Sequence, residues 1–218
     1  MPDFDIGTVA TPVSDTGLIS IGGFAPVSFA DWPGEIAAVI FCQGCPWDCG
    51  YCHNPDLIPA NAPSRYGWDQ ILGFLRERRG LLDGVVFSGG EPLLQKNLPA
   101  AMAAVRELGF RLGLHTGGAY PARFRQVLPL LDWVGFDIKA APEDYADLTH
   151  SRRSGTDAME SFRLLRQSGV AFETRTTLDP YFFTPPRLLR LEQTIRTLGL
   201  SAHRMQDYRE TGTRLRQA

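Results

Sequence analysis

The chain has 218 residues, 44% of them hydrophobic and 21% charged, which suits one well-packed globular domain or at most two small ones. A formal net charge of −2 and an isoelectric point near 6.1 exclude a general attraction to nucleic acid or anionic membrane. No apolar run reaches the roughly 18 residues of a membrane span. The opening MPDFDIGTVATPVSDTG has acids where a secretory signal needs a basic start, so a cytoplasmic location is expected, with no membrane and no nucleic-acid partner.

Residues 1–19 read as an N-terminal leader before a single core over 20–218. Strand candidates follow at 36–42, 84–87, 110–115, 133–139, 170–176 and 202–206. Helical stripes lie between them: Trp68, Ile71, Leu72 and Leu75; then Leu98, Met102, Val105 and Leu108; then Phe124, Val127, Leu128 and Leu131. Met159, Phe162 and Leu165 make a fourth stripe, and Leu188, Leu191, Ile195 and Leu198 a fifth. Thr156-Asp157 reads as the start of the fourth helix, and Thr184 before Pro185-Pro186 as the cap of the fifth. Gly80, Gly109 and Gly169 mark helix ends. Strands alternating with helices predict an α/β fold with a parallel sheet and helices outside it. The spacing fits an open doubly wound sheet or a partial barrel, and both collect chemistry at the carboxyl ends of the strands.

Those ends carry a consistent set of residues. After the first strand comes FCQGCPWDCGYCHNPDLIP (41–59), after the second SGGEP (88–92), after the third HTGG (115–118). The fourth ends in Asp137-Ile138-Lys139, where residues two apart share a face. Glu173, Arg175 and Thr177 likewise share a face of the fifth, and His203 and Gln206 lie on the sixth. Charges there must be paired or bound to something if buried, and rim ion pairing explains Glu173 as well as function does.

All four cysteines fall between Cys42 and Cys52. In a reducing compartment such a cluster points to metal or catalysis rather than disulfides. One reading is a tetrahedral zinc site using all four, although zinc sites usually join two separated knuckles. The other splits the set. Cys42, at a strand end, is a small core residue, and Cys45, Cys49 and Cys52 are three thiolate ligands of an iron–sulfur cluster with one iron left open.

Cys45-x3-Cys49-x2-Cys52, with Tyr51 before the last cysteine and SGGEP after the next strand, resembles the signature of the radical S-adenosylmethionine (SAM) superfamily. More closely, DWPGEIAAVIFCQGCPWDCGYCHNPDL, VVFSGGEPLLQ, LGLHTGGAYP and WVGFDIKAAPEDY resemble the anaerobic ribonucleoside-triphosphate reductase activating proteins, which are glycyl-radical-enzyme activases. The resemblance implies a partial, open TIM-like barrel of about six βα units. It implies that Cys45, Cys49 and Cys52 hold a [4Fe–4S] cluster whose open iron binds SAM, with Tyr51 near the adenine. Ser88, Gly89, Gly90 and Glu91 would receive the methionine amino group, and Thr116 would lie near SAM. Many relatives have Asn after that threonine; this chain has Gly117.

The same resemblance makes Asp137 and Lys139 a catalytic pair touching SAM and the reacting peptide, and puts Arg175 near the SAM carboxylate. His203 matches weakly a histidine near the ribose. His115 has no counterpart and reads as a packed or rim histidine. Reduction by a flavodoxin or ferredoxin would cleave SAM to methionine and a 5′-deoxyadenosyl radical, which takes a Cα hydrogen from a glycine of the partner, an anaerobic ribonucleoside-triphosphate reductase. The rivals are a radical SAM enzyme acting on a small molecule or tRNA base, and a non-enzymatic four-cysteine zinc module. No chemistry is assigned to residues 205–212.

Overall fold

The computed structural model describes residues 18–209 and 213. The rest of the expected leader, residues 1–17, lies outside the described residues. Its end does not hang free: Ile19 is buried in the main core, with Leu18 packed against it.

Among the described residues, seven strands form one sheet in strictly sequential order: β1 (Ile21–Ser28), β2 (Ala37–Cys42), β3 (Gly84–Gly89), β4 (Arg111–Thr116), β5 (Trp133–Asp137), β6 (Ala171–Leu178) and β7 (Arg204–Asp207). Strands β2 to β7 are parallel throughout. A doubly wound sheet reverses its strand order at a switch point; this one never does. It is an unclosed half-barrel with β1 and β7 at its edges. β1 pairs antiparallel with β2 and was not expected, because IGGFAPVS holds two glycines and a proline and little strand-like alternation.

The α-helices among the described residues connect the strands: α1 (Trp68–Glu77), α2 (Leu98–Glu107), α3 (Pro121–Val127), α4 (Tyr145–Thr149), α5 (Ser154–Ser168) and α6 (Pro185–Thr197). The stripes read from the sequence are their buried faces: Trp68, Ile71 and Leu75 on α1, and Leu98, Met102 and Val105 on α2. The short α4 was not expected; five residues are too few to show a period. The fourth expected helix, α5, starts at Ser154, so Thr156-Asp157 lies inside its first turn rather than before it. Thr184 does precede α6, with Pro185 opening the helix, but its side chain makes no capping bond. Gly80, Gly109 and Gly169 take positive φ just beyond α1, α2 and α5. Among the described residues no helix is long and apolar enough to cross a membrane.

Strand alternation divides the sheet into two faces. Ala38, Ile40 and Cys42 of β2, Phe87 of β3, Leu114 of β4 and Phe136 of β5 join the helix stripes in the main core. The opposite, concave face carries Val39, Val86 and Trp133, packed around Trp32 from the loop after β1. Trp32 and Trp133 stack with ring centroids 5.6 Å apart. They plug the amino-terminal half of the concavity and leave its carboxyl-terminal half open.

Candidate active site

That open half is a cavity of about 640 Å³. Twelve residues singled out from the sequence for cofactor binding or catalysis line it: Cys45, Cys49, Tyr51, Cys52, Ser88, Gly89, Gly90, Glu91, Thr116, Asp137, Lys139 and Arg175. The chain brings them together from five separate strand ends.

The cysteine loop forms one wall. Its base is zipped by backbone bonds from Gly44 N to Leu57 O (2.8 Å) and from Cys45 N to Ile58 O (3.1 Å). Gln43 clamps the same crossing, its Nε2 donating to the carbonyls of Asp56 and Pro59, both at 2.9 Å. Cys42 precedes the crossing and faces the helices, fully buried in the main core; it does not line the cavity. A four-cysteine zinc site is therefore not built. The other three thiols do not converge as ligands of a single ion would: among the described residues no three His, Cys, Asp or Glu side chains form such a group. A cubane asks for something different, one thiolate per iron. Burial pushes the Cys45 thiol up to about 12 and raises Cys49 as well, so loading a metal there releases protons.

SGGEP forms the floor next to this loop, packed backbone against backbone. Gly90 N donates to Cys42 O (3.0 Å) and Glu91 N to Gly44 O (2.9 Å). A Cβ on Gly89 would collide with the Cys42 backbone, and one on Gly90 with the Gly44 carbonyl. The glycines are thus required first by the cysteine loop they support. Glu91, 2% exposed, accepts from Leu93 N (3.1 Å), Thr116 Oγ1 (2.7 Å) and Gly117 N (3.0 Å). Burial raises its carboxyl while these bonds oppose the rise. Three donors on one carboxylate make Glu91 a brace between β3 and β4. The Thr116 hydroxyl is also committed, donating to Glu91 and accepting from Gly118 N (2.9 Å). Gly117 stands where it does because a Cβ there would run into the Trp47 indole.

Charge dominates the far wall. Arg175 Nε donates to Asp137 Oδ1 at 2.7 Å, and Lys139 Nζ lies 3.5 Å from Asp137 Oδ2. β5 ends at Asp137, so Lys139 sits just past the strand, yet both side chains reach the cavity while Ile138 is buried in the core. Burial alone would raise the Asp137 carboxyl, but Arg175 and Lys139 outweigh it and hold it at about 2. Burial would likewise lower the Lys139 ammonium, but Tyr51, Asp137 and the cysteines keep it well above its ordinary value. Nζ also lies 5.6 Å from the Tyr51 ring centroid and 5.9 Å from that of Trp47, so Lys139 joins the two walls through cation–π contact.

A sequence-family comparison then decides the kinship: the model of the radical SAM superfamily matches residues 39–182. The chain belongs to the radical SAM superfamily. Members of this superfamily use a [4Fe–4S] cluster and SAM. Among curated relatives, a Methanocaldococcus jannaschii protein named as a glycyl-radical enzyme activating enzyme is 26% identical over 84% of this chain and 78% of its own length. The pyruvate formate-lyase-activating enzyme of Clostridium pasteurianum is 33% identical over 71% of this chain and 66% of its own. The 7-carboxy-7-deazaguanine synthase of Thermococcus kodakarensis is 30% identical over 65% of this chain and 68% of its own. Among solved structures, Streptococcus suis SuiB bound to its precursor peptide superposes with a TM-score of 0.60 at 14% identity, covering 83% of this chain but only 42% of SuiB. That likeness shows the fold, and the shorter span means that this radical SAM chain matches only part of the larger protein.

Three parts of the cavity lining escaped the sequence reading. Trp47 was unremarkable as a loop residue. His115, set aside as a packed or rim histidine, is 6% exposed and lines the cavity with both ring nitrogens bonded. Asp207 and Arg209, in the stretch given no chemistry, also line it, beside Gln206, which was read only as a strand-end residue; the parallel pairing of β7 with β6 brings them there. Conversely, His203 is not at the cavity. Its Nε2 lies 3.0 Å from Thr176 Oγ1 and its Nδ1 2.9 Å from Thr174 Oγ1, and these threonines alternate with Arg175 onto the other face of β6. Glu173 pairs with Arg204 at 3.7 Å, the rim ion pair anticipated as one reading.

Proposed function

We propose that this protein is a glycyl-radical-enzyme activase whose partner is an anaerobic ribonucleoside-triphosphate reductase, with a flavodoxin or ferredoxin as electron donor. Cys45, Cys49 and Cys52 hold the cluster. When bound, cluster and SAM supply one-electron reductive cleavage to methionine and a 5′-deoxyadenosyl radical. The protein's own residues bind and orient. Lys139 and Arg175 present cationic donors to the SAM carboxylate, with Asp137 fixing both. The backbone at Ser88, Gly89 and Gly90 takes the amino group, with Glu91 and Thr116 bracing that segment. Tyr51 and Trp47 flank Lys139 and shield it from water.

The observation that carries this reading is the Asp137–Lys139 pair set against the cysteine loop, in a cavity that the unclosed sheet leaves accessible to a macromolecular segment. The relatives named as activases support it. To test it, the reduced protein, SAM and an anaerobic reductase are incubated without oxygen and examined by EPR. A glycyl doublet on the reductase is expected. Deoxyadenosine formation with no doublet on any glycyl-radical enzyme tried would favour the second reading, a radical SAM enzyme acting on a small molecule. The similarity to a deazaguanine synthase is what keeps that reading in view.

A further inference from the structure

His115 has no part in the function just proposed, yet it is built into the cavity wall. A guanidinium can only donate. His115 Nδ1, 3.0 Å from Arg175 Nη2, is therefore an acceptor. The ring proton then sits on Nε2, which donates to the Asp31 carbonyl oxygen at 2.7 Å. Burial, followed by the Arg175 charge, holds the imidazole neutral down to about 4. Packing also fixes the ring: its centroid is 5.4 Å from that of Trp133, and a Cβ on Gly135 would fall 2.8 Å from Cδ2.

These contacts join two structures that are far apart in sequence. Below His115 lies the plug made by Asp31 and Trp32, stacked on Trp133. Above it lies Arg175, held at Nε by Asp137 and at Nη2 by His115. Two anchors on different nitrogens fix the plane of the guanidinium, where Asp137 alone would leave it free to rotate. A neutral acceptor also adds no second negative charge beside Asp137. The cationic edge of Arg175 stays available to an anionic ligand.

We propose that His115 is a positioning residue: it seats Arg175 on the Asp31–Trp32 plug through its Nε2–H tautomer and so orients the guanidinium toward the SAM carboxylate. This rests on the reading of the cavity as a SAM site. The test compares His115→Asn, whose amide oxygen can replace Nδ1 as acceptor for Arg175, with His115→Gln, whose longer amide reaches the Asp31 carbonyl instead. SAM affinity of the cluster-loaded full chain is measured by equilibrium dialysis, and folding by thermal melting. The Asn variant should stay within about threefold of wild type, while the Gln variant, leaving an Arg175 donor unpaired, should lose about tenfold or more, with the two variants melting within a few degrees of each other because each gives up one of the two bonds. Equal affinities for the two variants would overturn the proposal. A long-range ¹⁵N–¹H spectrum of the wild type decides it independently: a single proton on Nε2 at neutral pH is expected, and an Nδ1–H or doubly protonated ring would refute it. Wild-type protein that binds no SAM would sink the functional reading, and the ring spectrum would still decide the seating of Arg175.

Discussion

The two walls of the cavity are made differently. The cysteine loop is pinned at its base, where Gln43, Gly44 and Cys45 bond back to residues 56–58 and Pro59, and its thiols form no disulfide. The strand-end wall is already complete: Arg175, Asp137, Lys139 and His115 pair with one another and with the plug beneath. In the proposed function the first wall holds the cluster. The other is preorganised, so that a bound ligand meets dipoles and charges that need not rearrange. Changes to the first wall should remove the cofactor, whereas changes to the second should leave it in place and spoil its use.

The largest contrast is expected from Cys49→Ser, which should drop iron from about four per chain to near zero and abolish the broad visible absorption, as read by iron assay and spectrum. Next comes the second wall. Arg175→Met or Asp137→Asn should keep the iron but cut deoxyadenosine formation by about 100-fold, the scale of breaking a partly buried ion pair. A loss of iron in these variants would erase the distinction between the walls. Glu91→Gln tests the brace between β3 and β4. Its amide must turn an N–H toward a donor, Thr116 or Gly117, so the melting temperature should fall by about 2–8 °C.

A pH series offers a finer probe. The His115 imidazole is held at about 4 in the folded chain against 6.5 in the unfolded one. Between those values the unfolded state binds the extra proton, so stability falls as the pH drops through that window. Asp137, lowered from 3.8 to about 2, adds its own loss only as the pH falls below about 4. Denaturant titrations should show the first slope in wild type and its disappearance in His115→Asn. The smallest effect on the site should come from Cys42→Ser. A buried hydroxyl in the apolar core costs about 1–3 kcal/mol of stability, but iron content should match wild type.

The first wall was almost wholly legible in the sequence because its residues are adjacent in the chain: three cysteines on one loop stand out by spacing. So were β2 to β6, whose apolar runs sit between helix stripes. The second wall was legible only in part. Asp137-x-Lys139 shows a shared strand face, but the pairing of Arg175 with Asp137 spans 38 residues and depends on strand register. His115 was passed over because its meaning comes from Arg175 and from a carbonyl 84 positions away. β1 was missed because its glycines and proline obscure the alternation, although its loop delivers Trp32 and Asp31 to the plug. Gly89 and Gly90 were read only as receiving a ligand's amino group, but the backbone their missing Cβ atoms admit is that of the cysteine loop.

The central claim is that three thiolates and not four hold the cluster, leaving one iron for SAM opposite a prepaired wall. Electron–nuclear double resonance on the reduced cluster, with SAM labelled at its amino nitrogen and carboxylate oxygen, tests it most directly. The account predicts hyperfine coupling from both labels, unchanged in Cys42→Ser. A cluster that binds labelled SAM without either coupling, or that requires Cys42 to form, would contradict it.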